Sequence, residues 1–415
     1  MNSGTSPSHD VRMSGFVERK SFAEVRQLIQ QRVQPGETEE LGLRDALGRI
    51  VAEDITSPVD VPYFERSAMD GYAVRGEETS GASEYNPLAF KLVGVSLPGN
   101  PFEGEIASGE AVKIMTGGAV PKGANAVLMA EYSEEEDTQV RFRRQIAPGK
   151  NVMRIGEDIR QGDVVLERGR RLRPQDLGVL ASVHQPDVRV YQQPTVAIII
   201  TGNELVDPSS EASASHIVDS NSYLMAGLVE LYGGVPVLKG ITEDRRETIK
   251  AAIEGAEEDI IVVSGGTSVG EEDYAPVIVN ELGELAVHGV AIKPGSPLGL
   301  GFIGERSIFL VPGSPVAAMI TTDAFVCSAI RRRLGLDAGF GYPRIRGILK
   351  QKIVSAIGRT EFVRIQIDED FNIEKLRVSG ASILTSTTRA DGFLVIDDGV
   401  EGYPEGAEVE VYHYG

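Results

Sequence analysis

The 415-residue chain is predicted to be a multidomain α/β and β protein: a central three-layer α/β domain, a β-rich inserted domain, a discontinuous helical and linker domain, and a C-terminal β-barrel or sandwich. Three observations predict this. Between Thr195 and Leu334 apolar strands alternate with helical stretches, which implies parallel βαβ units. From about Ile55 to Pro148, and again after Leu336, short β-like runs are separated by Pro and Gly turns with little helical periodicity. Helical segments flank the first of these β-rich stretches and can pack together as one domain that the insert interrupts. The boundaries that follow are 1–15 for a Ser-, Gly- and Pro-rich lead-in expected to be disordered, 16–54 with 149–193 for the helical domain, 55–148 for the insert, 194–336 for the α/β domain and 337–415 for the barrel.

Taken in order, Ser21 and Glu24 form a capping box ahead of Phe22, Val25, Leu28 and Ile29, whose spacing predicts a helix that Pro35-Gly36 stops. A second short helix is expected around Leu43 to Leu47. Strands are expected at 111–115, 126–130 and 140–143 in the insert. A strand at 164–166, a basic turn (Arg168, Arg170, Arg171, Arg173) and a helix with Pro174 at its first position follow. In the α/β domain the strands are 196–200, 235–238 and 260–264, and the helices 221–231, 245–257 and 274–282. The C-terminal strands are 346–350, 361–367, 393–396 and 408–412.

A net charge of −20 argues against nucleic acid and against anionic membrane surfaces as partners, so an anionic substrate needs a local basic pocket. The one cysteine, Cys327, lies in an apolar run and reads as a buried thiol rather than a nucleophile; with five scattered histidines, a zinc site is not expected. No run of eighteen apolar residues and no signal core occurs, and a cytoplasmic protein is expected.

In the α/β domain, ligands belong beyond the carboxyl ends of the strands. Those ends carry Thr201-Gly202-Asn203-Glu204, Thr242-Glu243-Asp244, and Ser264-Gly265-Gly266-Thr267-Ser268-Val269-Gly270 followed by Glu271, Glu272 and Asp273. Glycines let the backbone approach a ligand, and consecutive N–H groups with two hydroxyls can receive an anion's oxygens. Carboxylates directly after an anion loop make sense when a cation lies between them and a phosphate. Asp244 with Glu247 also makes a capping box for the next helix, and Glu271 to Asp273 suit a helix N-terminus, so both roles stay open. Gly299-Leu300-Gly301-Phe302-Ile303-Gly304 fits the dinucleotide fingerprint, but a strand rather than a helix follows, so a hairpin is expected. Lys293 ends an apolar run, and Pro294 stiffens its backbone. Arg344, Arg346, Arg359 and Arg364 have solvated surface charge as their default reading.

These pieces, together with Ser67-Ala68-Met69-Asp70-Gly71-Tyr72, Met115-Thr116-Gly117-Gly118, Gly156-Glu157-Asp158-Ile159, Ala291-Ile292-Lys293-Pro294-Gly295 and Pro312-Gly313-Ser314-Pro315-Val316, resemble in order the molybdopterin molybdenumtransferases, the MoeA and gephyrin E-domain family. The resemblance runs from about Phe16 to Tyr414. It implies an elongated four-domain homodimer with active sites at the subunit interface and a molybdopterin-binding-type α/β domain. It also implies the reaction, in which molybdate and adenylylated molybdopterin, with Mg²⁺, give molybdenum cofactor and AMP. By the same resemblance Asp244, Asp273 and Glu204 are the acids near the metal and phosphoanhydride, and Asp70 and Thr116 reach across the dimer. Ser264, Gly265, Gly266, Thr267, Ser268, Gly270, Pro312, Gly313, Pro315 and Asp158 complete the binding residues. Lys293, Ser314 and Arg359 are candidates for holding the tetrahedral oxyanion.

Two departures from the family pattern matter: Ser296 stands where many members carry a second lysine, and Ala381 where a serine is frequent. Weaker molybdate binding, a preference for tungstate, or a compensating arginine would fit them. The other functions weighed are the adenylyltransferase that precedes this step, which is also the expected transient partner, and a non-enzymatic dimeric scaffold.

Overall fold

The computed structural model describes residues 19–211, 213, 215–265, 274–376 and 382–415. Contacts divide the chain into two compact units, one of residues 40–189 and the other of residues 19–39 with 190–415.

The unit 40–189 is built on a six-stranded sheet in the order Ala126–Met129, Gly71–Val74, Glu110–Ile114, Leu88–Ser96, Gln139–Phe142, Ser133–Glu136. Side-chain alternation divides the residues of this sheet between two faces. Tyr72 and Val74 join Phe90, Ala111, Leu128, Val140 and Phe142 in one core, whereas Ala73 joins Ile114 and Val127 in another. Pro174 opens helix Pro174–Ser182, and the buried Asp176 accepts the Arg173 N–H at 2.9 Å and a guanidinium N–H of Arg170 at 2.8 Å. Two arginines of the basic turn therefore serve a helix start. The expected helix around Leu43 to Leu47 is not formed. These residues make hydrogen-bonded turns that end at Gly48, whose φ is +78°; one turn is too short to repay helix nucleation.

In the second unit, helix Phe22–Arg32 starts with the reciprocal Ser21/Glu24 capping box and ends before Pro35; it packs on helix Cys327–Arg333. A six-stranded sheet follows in the order Val235–Thr242, Thr195–Thr201, Ile260–Ser264, Arg306–Val311, Gly299–Ile303, Glu284–His288, with the first four strands parallel. Ala197, Ile199, Ile261, Val263, Ile308 and Leu310 face one layer of helices, Arg246–Glu254 and Ala275–Leu282, and share one buried core with it. Helices Asn221–Tyr232 and Pro315–Thr321 pack on the sheet and on each other. Each fully buried Ile or Leu contributes roughly 1.5–3 kcal/mol, so the sheet is a rigid platform for whatever its edge carries. The glycine-rich run 299–304 is a hairpin: Gly304 turns at φ +62° into an antiparallel strand.

The C-terminal part closes into a five-stranded barrel. Strand Thr360–Ile367 pairs with Asn372–Lys375, which leads through Arg344–Leu349 and Glu408–His413 to Gly392–Ile396 and back to Thr360–Ile367. Short strand Ile292–Lys293 adds to Thr360–Ile367 in parallel, with Lys293 opposite Glu361. That pairing brings the loop after residue 291 against the barrel.

Candidate active site

Because the sheet strands Val235–Thr242, Thr195–Thr201 and Ile260–Ser264 are parallel, their carboxyl ends share one edge. Thr201, Gly202, Glu204, Asp244, Ser264 and Gly265 line one cavity of about 590 Å³ there, with Pro312 to Pro315 from the loop after strand Arg306–Val311. Gly265 is required where it stands: its φ is +106°, and a Cβ would come within 2.4 Å of the Thr201 carbonyl oxygen. The Asp244 N–H donates to Asn203 Oδ1 at 3.1 Å, which ties the second loop to the first. Asp244 is not the cap of the following helix. Helix Arg246–Glu254 begins after Arg245 and has no side-chain cap, so the capping-box role is absent and the Asp244 carboxyl stays with the cavity.

Two lining residues that sequence reasoning does not single out organise this cavity: Asn221 reads there only as the start of a helix, and Asp219 not at all. Asp219, buried, accepts from the Ser222 N–H and hydroxyl. Asn221 Nδ2 donates to Ser264 Oγ at 3.2 Å and to the Gly313 carbonyl at 2.9 Å, joining the ends of two neighbouring strands. The signal for both was the triplet Asp219-Ser220-Asn221 at a helix start on the ligand edge.

A second cavity, of about 780 Å³, meets the first at Pro297, Pro312 and Ser314. Its wall carries Lys293, Lys352, Arg359, Arg364 and Lys375, and Glu361 is the one carboxylate among the described lining residues. Ser296 Oγ, Arg359 Nε and Arg364 Nη1 are each buried with no hydrogen-bond partner among the described residues. Buried donors left without acceptors cost about 1–3 kcal/mol each, so an acceptor-rich ligand in this cavity would relieve up to three such costs. Burial lowers the pKa of the Arg364 guanidinium, which remains charged. Arg364 is therefore not the solvated charge that its residue type suggested. Arg364 and Ser296, which stands where many family members carry a second lysine, line the same cavity.

Asp70 and Thr116 are brought together in the unit 40–189. Asp70 Oδ1 accepts both the Thr116 N–H and its hydroxyl at 2.7 Å, and these bonds hold the carboxyl below the usual range. Asp158, in the same unit, is exposed, and its N–H donates to the Val61 carbonyl. Gly266, Thr267, Ser268, Gly270 and Asp273, with Glu271 and Glu272, lie outside the described residues, as does Ala381. Cys327 is fully buried, and burial together with Asp323 raises its thiol pKa well above normal, so it is no nucleophile.

For Mg²⁺, the fit rests on the donor set. No group of three or more His, Cys, Asp and Glu that could hold a metal occurs among the described residues. Three carboxylates line the cavity that holds Ser264 and Gly265, Asp219 being bonded to Ser222; Mg²⁺ takes one or two carboxylates with phosphate oxygens and water, so Glu204 and Asp244 fit it. No helix among the described residues is long and apolar enough to cross a membrane.

Three family models match in succession: the MoeA N-terminal region (domain I and II) over residues 20–183, a "Probable molybdopterin binding domain" over 197–332, and the MoeA C-terminal region (domain IV) over 346–414. A molybdopterin molybdenumtransferase of Haemophilus influenzae is 34% identical over 377 residues, covering 89% of this chain and 92% of the relative. That of Bacillus subtilis is 31% identical over 386 residues, covering 91% and 90%. The crystal structure of a molybdopterin biosynthesis moeA protein from Pyrococcus horikoshii superposes with a TM-score of 0.84 at 35% identity, covering 96% of this chain and all of the other.

Proposed function

Because the chain belongs to the MoeA family of molybdopterin molybdenumtransferases, enzymes of molybdenum cofactor biosynthesis, we propose that it inserts molybdate into adenylylated molybdopterin, with Mg²⁺-dependent release of AMP. The observation that carries this reading is the pair of adjoining cavities, one lined by acids beside a glycine strand end and the other by five cations, Lys293, Lys352, Arg359, Arg364 and Lys375.

In the acidic cavity Glu204 and Asp244 would hold Mg²⁺, which when bound offsets charge on the phosphoanhydride; the family resemblance adds Asp273 to this set. The Ser264 hydroxyl, which accepts from Asn221, donates to a phosphate oxygen there; the Gly265 N–H is taken by the Val311 carbonyl, so Gly265 serves by close backbone approach, and Asn221 keeps Ser264 and the Gly313 loop in place. In the cationic cavity Lys293, Arg359 and Arg364 with Ser296 and Ser314 hold the tetrahedral oxyanion, as ammonium and guanidinium groups suit its charge and geometry. Arg364 supplies the cationic group that Ser296 does not. The working molecule is a cytoplasmic homodimer with the active site at the subunit interface, Asp70 and Thr116 being supplied by the partner subunit, and it meets a molybdopterin adenylyltransferase in passing.

The test is AMP release from adenylylated molybdopterin by the purified protein, with Mg²⁺ and with molybdate or tungstate in parallel. Asp244→Ala and Asp273→Ala are expected to stop release while the melting temperature is kept. Unchanged turnover in both variants would sink the assignment of the acids, and a wild type active only with tungstate would replace molybdate as substrate.

A further inference from the structure

Glu361 stands out in the cationic cavity, because a carboxylate there works against anion binding by simple charge counting. It is only 6% exposed and is held from two sides: Lys293 Nζ donates to Oε1 at 2.9 Å, and Ser355 Oγ donates to Oε2 at 3.0 Å. The parallel pairing of Ile292–Lys293 with Thr360–Ile367 sets Lys293 directly opposite Glu361. Lys293 itself has a half-exposed side chain. Its four-carbon stem is flexible, and Lys352, Arg359, Arg364 and Lys375 on the same wall repel its ammonium toward solvent.

From this we infer that Glu361 is a positioning residue for the oxyanion site, acting through Lys293 rather than on the ligand. The inference rests on the reading of this cavity as an oxyanion site. An ammonium group has three donors; Glu361 takes one and so fixes the direction of the other two. Ser355 in turn keeps the carboxylate from rotating away. The cost in local charge is tolerable because four other cations remain around the cavity. The backbone register places the pair, so the lysine meets an incoming oxyanion already oriented, with less side-chain freedom left to lose on binding.

A double-mutant cycle tests it, with molybdate and tungstate titrated by calorimetry into the full-length protein. Glu361→Ala is expected to weaken binding about tenfold, the loss of one well-placed charge-assisted hydrogen bond, with Lys293→Ala at least as harmful. In the Lys293→Ala background, the further change Glu361→Ala should cost less than about twofold. Glu361→Gln keeps an acceptor for Lys293 and a group that can bond Ser355, so it should bind within about twofold of wild type. Additive effects in the cycle, or a Glu361→Gln that binds more than about threefold tighter because only charge mattered, overturn the inference. The Gln variant decides the matter if Glu361→Ala fails to fold. A wild type that binds neither oxyanion overturns the cavity reading itself, an outcome distinct from either of these.

Discussion

Replacing Asp323 by Asn tests how the core beneath the two cavities is held. Asp323 is 2% exposed, in the π-helical turn Thr322–Val326 that continues from helix Pro315–Thr321. Its Oδ1 accepts the Tyr232 hydroxyl at 2.7 Å, and that hydroxyl accepts the Gly341 N–H at 3.1 Å. Burial pushes the carboxyl up to about 7 from an ordinary 3.8, against the hydrogen bonds from Tyr232 and Tyr342, which lower it. Between those two values the folded chain binds a proton that the unfolded chain has released, so stability falls as pH rises through the window and is level above it. Three units at about 1.4 kcal/mol each give a loss of about 4 kcal/mol. Asn keeps the shape and the acceptor for Tyr232 and does not titrate. Since association is favoured near the isoelectric point, the usable window begins at about pH 5.5, and from there to about pH 8.5 roughly 2 kcal/mol of the difference remains. Guanidinium unfolding across that range should show Asp323→Asn gaining this much on wild type as pH rises. Two stability curves that stay parallel would refute the reasoning, because the carboxyl would then titrate alike in both states.

Two other substitutions follow from the site. Arg364→Met keeps the buried stem and removes the guanidinium; molybdate and tungstate affinity should fall roughly ten- to a hundredfold by calorimetry, while stability holds or rises by about 1 kcal/mol as an unpaired buried donor disappears. Undiminished affinity would remove Arg364 from the oxyanion site. Gly265→Ala forces a left-handed backbone at φ +106° and a Cβ against the Thr201 carbonyl, a combined cost of about 2–5 kcal/mol readable as a lower denaturant midpoint. A shift worth under about 0.5 kcal/mol would show that the strand ends can part without cost.

What the sequence determined by itself is local. Apolar β-branched runs such as Ile260–Ser264, the Ser21/Glu24 box and Pro174 at a helix start carry their structure in a few neighbouring residues, and the structure keeps all three. The strand–helix alternation also determined the ligand edge, since parallel strands must end together, and with it Glu204, Ser264 and Gly265. The resemblance supplied the reaction class. Tertiary structure decided the rest. A capping box at Asp244 is a local possibility, but the helix starts one residue too late for it, and Asp244 stays with the cavity instead. Leu43 to Leu47 has helical spacing yet too few residues to nucleate. The cationic wall was the least legible part, because Lys293 and Glu361 meet across 68 residues through a strand pairing. No spacing rule links such distant positions: only closure of the barrel decides whether a charged side chain such as Glu361 or Arg364 lines a cavity or faces water.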